Sequence, residues 1–167
     1  MDKGIFIGIG SNMGQSRKNC VMAIERISSD KRVYLRSISS FYLTSPVSDI
    51  EQNDFINCAV EIDWEGTPRE LLQFLNGIES SMGRARTEKN GPRVIDLDIL
   101  LYGDQIINED NLTIPHKELH RRKFAIMPCI EIEPDLVLVK PLASFLSGIG
   151  PEQKITRLEG TGFREED

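Results

Sequence analysis

Apolar residues alternate with other residues in several short segments and recur at helical spacing in two longer ones. Ile5, Ile7 and Ile9 alternate ahead of a Gly-Ser-Asn turn, a pattern typical of a buried strand. Between Gln15 and Ser28 apolar positions recur every three or four residues. The chain is therefore predicted to open with a strand followed by an amphipathic helix.

The pattern then predicts a long strand over Val33 to Leu43, a polar loop over Val47 to Asp54 and another strand. Alternation in this last strand places four apolar side chains on one face: Ile56, Cys58, Val60 and Ile62. Phe55 and Asn57 consequently share the opposite face, where an aromatic ring and an amide are available to a ligand.

A second helix has a clear start signal. Thr67 is suited to the N-cap, Pro68 to the first helical position, and Glu70 completes a capping box. An apolar stripe follows (Leu71, Leu75, Ile78 and Met82), and Gly83 is suited to end the helix. The polar segment from Arg84 to Asn90 then predicts a mobile lid.

The last predicted strand of this set carries two aspartates. In an extended chain Asp96 and Asp98 share one face, while Leu97 and Ile99 share the other. Residues 105–107 are expected to return as its hairpin partner, and short helices are expected to follow up to residue 132. Strand, helix, strand, strand, helix, strand is the order of a ferredoxin-like sheet. We expect an α+β fold with a mainly antiparallel sheet and helices packed on it.

Composition narrows the class of protein. The chain has 167 residues, 40% of them hydrophobic and 28% charged, with a net charge of −6. These values predict one domain over residues 1–160 and a disordered tail over 161–167. The acidic balance argues against a nucleic-acid partner, and the absence of a signal-peptide pattern and of a membrane-spanning run favours a cytoplasmic protein without a membrane partner. We expect a monomer. Three cysteines without paired spacing indicate neither a disulfide framework nor a zinc knuckle.

The two aspartates point to metal chemistry. Side by side on one face, they repel each other unless a cation lies between them, and carboxylates suit Mg²⁺ or Mn²⁺. A run of cations just upstream (Arg84, Arg86, Lys89 and Arg93) suits a metal-bound polyphosphate. An ordinary solvated strand face and a solvated arginine loop are the alternative interpretations.

Other motifs are incomplete. Gly8, Gly10 and Gly14 suggest a dinucleotide loop, but Met13 stands where that pattern requires glycine. His116 and His120 are four residues apart, yet Lys117 replaces the glutamate of a zinc-protease motif.

Taken together, the segments resemble the 6-hydroxymethyl-7,8-dihydropterin pyrophosphokinase family of folate synthesis. The similarity covers residues 4–138 and rests on the segments at 9–12, 39–44, 55–57, 79–84, 91–98 and 112–116. It implies transfer of a diphosphate from ATP to the pterin hydroxymethyl group, with release of AMP. It also implies a ferredoxin-like sheet.

The resemblance implies a role for each site residue. Asp96 and Asp98 would bind two Mg²⁺ ions that bridge the ATP phosphates, and Arg84, Arg93 and Arg122 would contact phosphate. As a separate mechanistic hypothesis, Asp98 accepts the hydroxyl proton. The pterin would lie between Phe55 and Phe124, against Asn57 and the backbone of Thr44, Ser45 and Val47. The remaining ATP contacts would come from Asn76, Glu79, Arg86, Lys89, Ile99, Thr113 and His116.

Two other classes remain open from the sequence. One is a different ATP-dependent transferase on the same scaffold, which would release ADP rather than AMP. The other is a binding module for a pterin or a nucleotide that has no catalytic activity.

Overall fold

The computed structural model describes residues 4–83 and 91–158. The predicted lid over Arg84 to Asn90, with Arg84, Arg86 and Lys89, lies outside these residues, as does the predicted tail. The strands are β1 (Ile5–Ser11), β2 (Val33–Ile38), β3 (Tyr42–Thr44), β4 (Phe55–Trp64), β5 (Asp96–Tyr102), β6 (Ile107–Glu109), β7 (Leu112–Ile114), β8 (Val137–Leu138), β9 (Lys140–Pro141) and β10 (Ile155–Arg157). The helices are α1 (Ser16–Ser28), α2 (Pro68–Ser81) and α3 (Lys123–Ile132), with shorter 3-10 segments at Leu119–Arg121 and Leu142–Gly148.

Six strands form one antiparallel sheet in the order β10-β3-β4-β1-β5, with β2 also paired to β4. The central strand β4 pairs with β1 along one side and with β2 and β3 in turn along the other. The aspartate strand β5 pairs only with β1 among the described strands, and therefore lies at the sheet edge. These pairings confirm the predicted mainly antiparallel α+β fold.

Helices α1 and α2 cover one face of the sheet. Alternation along β1, β4 and β5 directs an apolar set to this face, and the helices bury their own stripes against it. The resulting core includes Ile7, Ile9, Cys58, Val60, Leu97 and Ile99 from the strands, with Ile24, Ile27, Leu71 and Leu75 from the helices. The predicted capping box of α2 is present, and Gly83 follows the helix with φ +86°.

The opposite face is only partly covered. Helix α3 packs over Phe6, Ala59 and Leu100, burying a second core that includes Ile126 and Cys129. Farther along the same strand faces, at the carboxyl end of β1 and the amino end of β5, the side chains lie beside an open cavity. On the sheet face opposite α1 and α2, one part is therefore buried under α3, and the other part forms the floor of the cavity.

Two strand predictions were wrong. The long strand expected over Val33 to Leu43 is two strands, because the regular pairing with β4 ends at Ser39 and Ser40. The Ser39 N–H still donates to the Ala59 carbonyl, but the Ala59 N–H donates to the Ser39 hydroxyl. The Ser40 N–H donates to the Glu131 carboxylate. Residues 105–107 do not pair with β5. Instead β6 pairs with β7, with the turn at Asn111 at φ 65°.

Among the described residues, no helix combines the length and the apolar character needed to cross a bilayer.

Candidate active site

A cavity of about 120 Å³ opens where β1, β4 and β5 meet the start of α3. Ten of the residues implicated by the sequence line it: Thr44, Ser45, Val47, Phe55, Asn57, Arg93, Asp96, Asp98, Arg122 and Phe124. They come from four separate parts of the chain. The sheet supplies the floor, the segment after β3 supplies one wall, and the start of α3 supplies the other.

Two glycines of β1, to which no sequence motif gives a role, line the floor of the cavity. Gly10 lies between Asn57 on β4 and Asp96 on β5, and Gly8 lies between Ala59 and Asp98. A Cβ atom on Gly10 would lie 2.5 Å from Asn57 Oδ1 and 3.6 Å from the Phe55 ring. The alternation with the isoleucines of β1 is the signal that these glycines share one strand face.

Asn57 is oriented by its neighbour. Its Nδ2 donates to Thr44 Oγ1 at 2.6 Å in a buried setting, and its Oδ1 lies on the Gly10 side. The Thr44 hydroxyl therefore acts as an acceptor for the amide. Because an amide has two donor hydrogens and an acceptor oxygen, Asn57 keeps one further N–H for a ligand in the cavity.

Asp96 and Asp98 project from the same face of β5, as predicted, and both line the cavity. The described residues contain no group of three or more His, Cys, Asp or Glu side chains placed to hold a metal ion. A pair of carboxylates is nevertheless the donor set expected for Mg²⁺ at a phosphate site, where substrate oxygens and water complete the coordination. The residues present therefore fit Mg²⁺ bound together with a polyphosphate.

Arg93 is placed by its backbone. Asn12, at the end of β1, donates its N–H to the Arg93 carbonyl at 3.0 Å and accepts the Arg93 N–H on Oδ1 at 2.8 Å. The Asn12 amide nitrogen also donates to Gln52 Oε1 and to the Asn53 carbonyl, both at 2.9 Å. One buried asparagine thus fastens the arginine segment to the loop that follows β3.

Arg122 and Phe124 form the opposite wall. The Arg122 guanidinium carbon lies 5.5 Å from the centre of the Phe124 ring, within cation–π range. Both residues flank the first position of α3, whose N-cap has no side-chain hydrogen bond of its own. The wall therefore combines a cation with an aromatic ring.

His116 lies outside the set that lines the cavity. Burial lowers the pKa of His116, the Arg122 guanidinium lowers it further, and the Asp96 and Glu118 carboxylates oppose the shift. Its Nδ1 accepts the Glu118 N–H at 3.1 Å, which leaves the proton on Nε2. His116 is thus placed to act as a neutral hydrogen-bond donor.

The other described residues assigned to ATP lie apart from one another and away from the cavity. Asn76 is exposed on α2, Thr113 is exposed on β7, and the Ile99 side chain is packed in the core on the far side of the sheet. Glu79 is buried, and its Oε2 accepts the Leu97 N–H at 2.8 Å. None of these four side chains is among those that line the cavity.

Comparison with known proteins gives the family. The model of the family described as 7,8-dihydro-6-hydroxymethylpterin-pyrophosphokinase matches residues 6–134. A Haemophilus influenzae protein named 2-amino-4-hydroxy-6-hydroxymethyldihydropteridine pyrophosphokinase is 41% identical over 133 residues, which are 80% of this chain and 83% of that protein. A Pseudomonas aeruginosa protein of the same name is 32% identical over 162 residues, covering 96% of this chain and 99% of that one.

A solved structure agrees on the fold. The crystal structure of Plasmodium falciparum HPPK-DHPS with pteroate superposes with a TM-score of 0.65 at 14% identity, over 88% of this chain and 43% of that one. The chain thus spans less than half of that larger protein, and the likeness concerns the fold alone. Because the family model matches residues 6–134 and the two relatives are 41% and 32% identical over 83% and 99% of their lengths, the chain belongs to the 7,8-dihydro-6-hydroxymethylpterin-pyrophosphokinase family.

Proposed function

We propose that the cavity described above is where this chain positions a pterin alcohol beside the diphosphate of ATP. The reaction is the one of its family, transfer of a diphosphate from ATP to 6-hydroxymethyl-7,8-dihydropterin in folate biosynthesis. Enzymes of this family use ATP and Mg²⁺. The observation that carries the proposal is that an amide and two aromatic rings share one cavity with two carboxylates and two arginines.

The pterin is assigned to the part of the cavity between Phe55 and Phe124. A flat heterocycle gains affinity by stacking on aromatic rings, and its edge of donors and acceptors suits an amide. Asn57 can still donate one N–H after its bond to Thr44, and the backbone of Ser45 and Val47 lies at the same wall. The hydroxymethyl group is then directed toward the aspartates.

The triphosphate is assigned to the side of the cavity formed by Asp96, Asp98, Arg93 and Arg122. Two Mg²⁺ ions held by the carboxylates would neutralise phosphate charge and polarise the phosphorus–oxygen bonds. Arg93 and Arg122 contribute positive charge next to the phosphate oxygens on which negative charge develops in the transition state. Arg84, Arg86 and Lys89 are assigned to the same polyphosphate from the sequence.

The remaining nucleotide contacts are assigned to residues around this side. His116 donates from Nε2 as a neutral imidazole, and Asn76 and Thr113 present exposed polar groups. Ile99 contributes through its backbone, because its side chain is committed to the core. Glu79, whose Oε2 accepts the Leu97 N–H, is assigned to the nucleotide from the sequence.

In the proposed mechanism the pterin hydroxyl oxygen attacks the β-phosphorus of ATP in line. The new bond joins that oxygen to the β-phosphorus, the bond from the β-phosphorus to the bridging oxygen of the α-phosphate breaks, and AMP leaves. Asp98 accepts the hydroxyl proton. In such transfers most of the rate acceleration comes from positioning the substrates and neutralising charge. No strong base is therefore required.

The test is a product analysis. The protein is incubated with ATP, Mg²⁺ and 6-hydroxymethyl-7,8-dihydropterin, and AMP, ADP and pterin diphosphate are quantified. AMP forming in step with pterin diphosphate is expected. ADP as the nucleotide product would mean transfer of a single phosphate, and tight binding of both substrates without turnover would mean a binding protein.

A further inference from the structure

Residues 152–157, near the end of the described chain, contact both walls of the cavity. This segment, here called the C-terminal strap, lies beyond the residues 6–134 that the family model matches. It ends in β10, which pairs with β3 so that Ile155 lies opposite Thr44. The sequence patterns had indicated no role for it.

The strap holds the first wall at Ser45. The Ser45 N–H donates to the Lys154 carbonyl at 3.0 Å, and the Lys154 N–H donates to Ser45 Oγ at 2.8 Å. The Ser45 hydroxyl in turn donates to the Glu152 carbonyl at 3.2 Å. Both polar groups of Ser45 that can donate are thus bonded to the strap, which fixes the chain just where it leaves β3 for the cavity.

The strap holds the second wall through one side chain. Gln153 Nε2 donates to the Arg121 carbonyl at 2.8 Å, and Gln153 Oε1 accepts the Lys123 N–H at 3.0 Å. The two bonds bracket Arg122 and precede Phe124. Because first-turn N–H groups of a helix have no partner within the helix, Gln153 supplies the cap that Arg122 does not give α3.

The strap is itself anchored between the walls. Arg157 donates through Nε to Ser40 Oγ at 3.0 Å and through Nη2 to Glu131 Oε2 at 3.1 Å. Glu131 is on α3, and its Oε1 also accepts the hydroxyl of Tyr42 on β3 at 2.6 Å. Helix α3, which begins at the second wall, is therefore bonded to β3, which leads into the first wall. Arg157 of the strap contacts Glu131 at this point.

We propose that the C-terminal strap sets the spacing of the two pterin walls, and that Gln153 is a positioning residue that acts through Phe124 and Arg122. The inference rests on the proposed pterin site. A ring that stacks on Phe124 and contacts the backbone of Ser45 and Val47 at its edge needs a fixed separation between the two walls. Misplacement of either wall is costly when the rate depends on positioning. A segment outside the matched family region thus becomes part of the substrate site.

The experiment compares Gln153→Ala, Gln153→Glu and a control, Gln105→Ala, at an exposed glutamine away from the cavity. The readouts are the Kd of 6-hydroxymethylpterin, from its fluorescence in the presence of Mg²⁺ and a non-hydrolysable ATP analogue, the KM for the dihydropterin, and thermal unfolding. Loss of both bonds in Gln153→Ala is expected to weaken pterin binding about five-fold or more. Gln153→Glu keeps the acceptor for Lys123 and should lose less.

A double-mutant cycle separates positioning from general stability. Phe124→Ala should weaken pterin binding by about ten-fold or more, since stacking on an aromatic ring contributes strongly. In that background Gln153→Ala should change the pterin Kd by less than about two-fold, because Phe124 is the residue through which Gln153 affects the pterin, whereas Arg122 serves the triphosphate.

The two hypotheses fail in different ways. If Phe124→Ala leaves pterin affinity unchanged, the proposed pterin site is wrong. If Phe124→Ala weakens binding but Gln153→Ala behaves like Gln105→Ala, or weakens binding equally with and without Phe124, the strap does not position that wall. If Gln153→Ala is unfolded, the same double-mutant cycle is measured with Gln153→Glu in place of Gln153→Ala, and its outcomes are interpreted in the same way.

Discussion

Asn57 and Thr44 are joined across adjacent strands by a buried hydrogen bond of 2.6 Å from the amide nitrogen to the threonine hydroxyl. This bond decides which end of the amide lies over Gly10 and which end remains for a ligand. It also prevents the amide from swinging aside easily, because any rotation breaks a buried hydrogen bond.

Gly10→Ala is therefore predicted to damage the pterin side of the site. The added Cβ would lie 2.5 Å from Asn57 Oδ1, so that the amide must leave Thr44. Loss of the oriented amide is expected to raise the KM for the pterin by about ten-fold, with a smaller effect on the KM for ATP. Gly77→Ala is the control, since a Cβ there meets nothing within 4 Å. Equal effects on both substrates would contradict this assignment.

Asp96→Asn and Asp98→Asn test the metal site without changing side-chain size. Each removes a charge from the cavity face of β5, and turnover is expected to fall by about two orders of magnitude. The Mg²⁺ concentration for half-maximal rate should rise in both variants. Circular dichroism should be unchanged, and Asp135→Asn, at an exposed residue, controls for loss of charge alone. Normal Mg²⁺-dependent turnover in either variant would remove that residue from the metal site.

Arg122 and Arg121 form a matched pair for the phosphate side. Arg122 lines the cavity, whereas the Arg121 Nε donates to His120 Nε2 and its side chain is exposed. Arg122→Ala is predicted to lower kcat/KM by about ten-fold or more, because charge-assisted contacts to phosphate are strong. Arg121→Ala should change it by less than about two-fold. Similar losses in both variants would indicate a general effect of charge.

The capping box of α2 gives a prediction on stability. Glu70 accepts the Thr67 N–H, and this bond lowers the pKa of its carboxyl below the ordinary value of 4.5. A lowered folded-state pKa means that the stabilisation is present above the unfolded-state pKa and is lost as the pH falls through the folded-state value. Urea unfolding should show Glu70→Gln to be less stable than the parent at neutral pH, with the difference closing in acid. A difference that persists at low pH would exclude the carboxylate as its source.

Much of this site could be predicted because the alternation of side chains along a strand determines which residues face the cavity. The faces of Asp96 and Asp98, and of Phe55 and Asn57, follow from a two-residue period, and the start of α2 follows from local capping chemistry. Residues that the resemblance implicates in four chain segments line one cavity. Local rules plus one set of family motifs were sufficient for these positions.

The remainder depends on contacts distant in sequence. At the break between β2 and β3 the Ser40 N–H bonds to Glu131, 91 residues away in sequence, and β6 pairs with β7 across the turn at Asn111 rather than with β5. The strap was missed because a glutamine that caps a distant helix has no periodic signature. A hydrogen bond between a backbone group and a side chain distant in sequence cannot be predicted from a local sequence pattern.

Glu79 gives the last prediction, because the sequence assigns it to ATP while the structure bonds it to the aspartate strand. Its Oε2 accepts the N–H of Leu97, the residue between the two aspartates, at a sheet edge where that N–H has no strand partner among the described residues. If its contribution is to hold β5, Glu79→Gln should retain most of the activity, because an amide oxygen can accept the same bond.

Glu79→Ala should then raise the Mg²⁺ requirement and lower kcat by about ten-fold, since outer partners of metal ligands commonly contribute on that scale. The KM for ATP should change less than the Mg²⁺ dependence. The opposite result, in which both variants raise the KM for ATP while the Mg²⁺ dependence stays normal, would mean that the charge of Glu79 serves the nucleotide directly. Because Glu79 is 5% exposed, thermal unfolding of both variants is needed to show that any loss of activity is not a loss of fold.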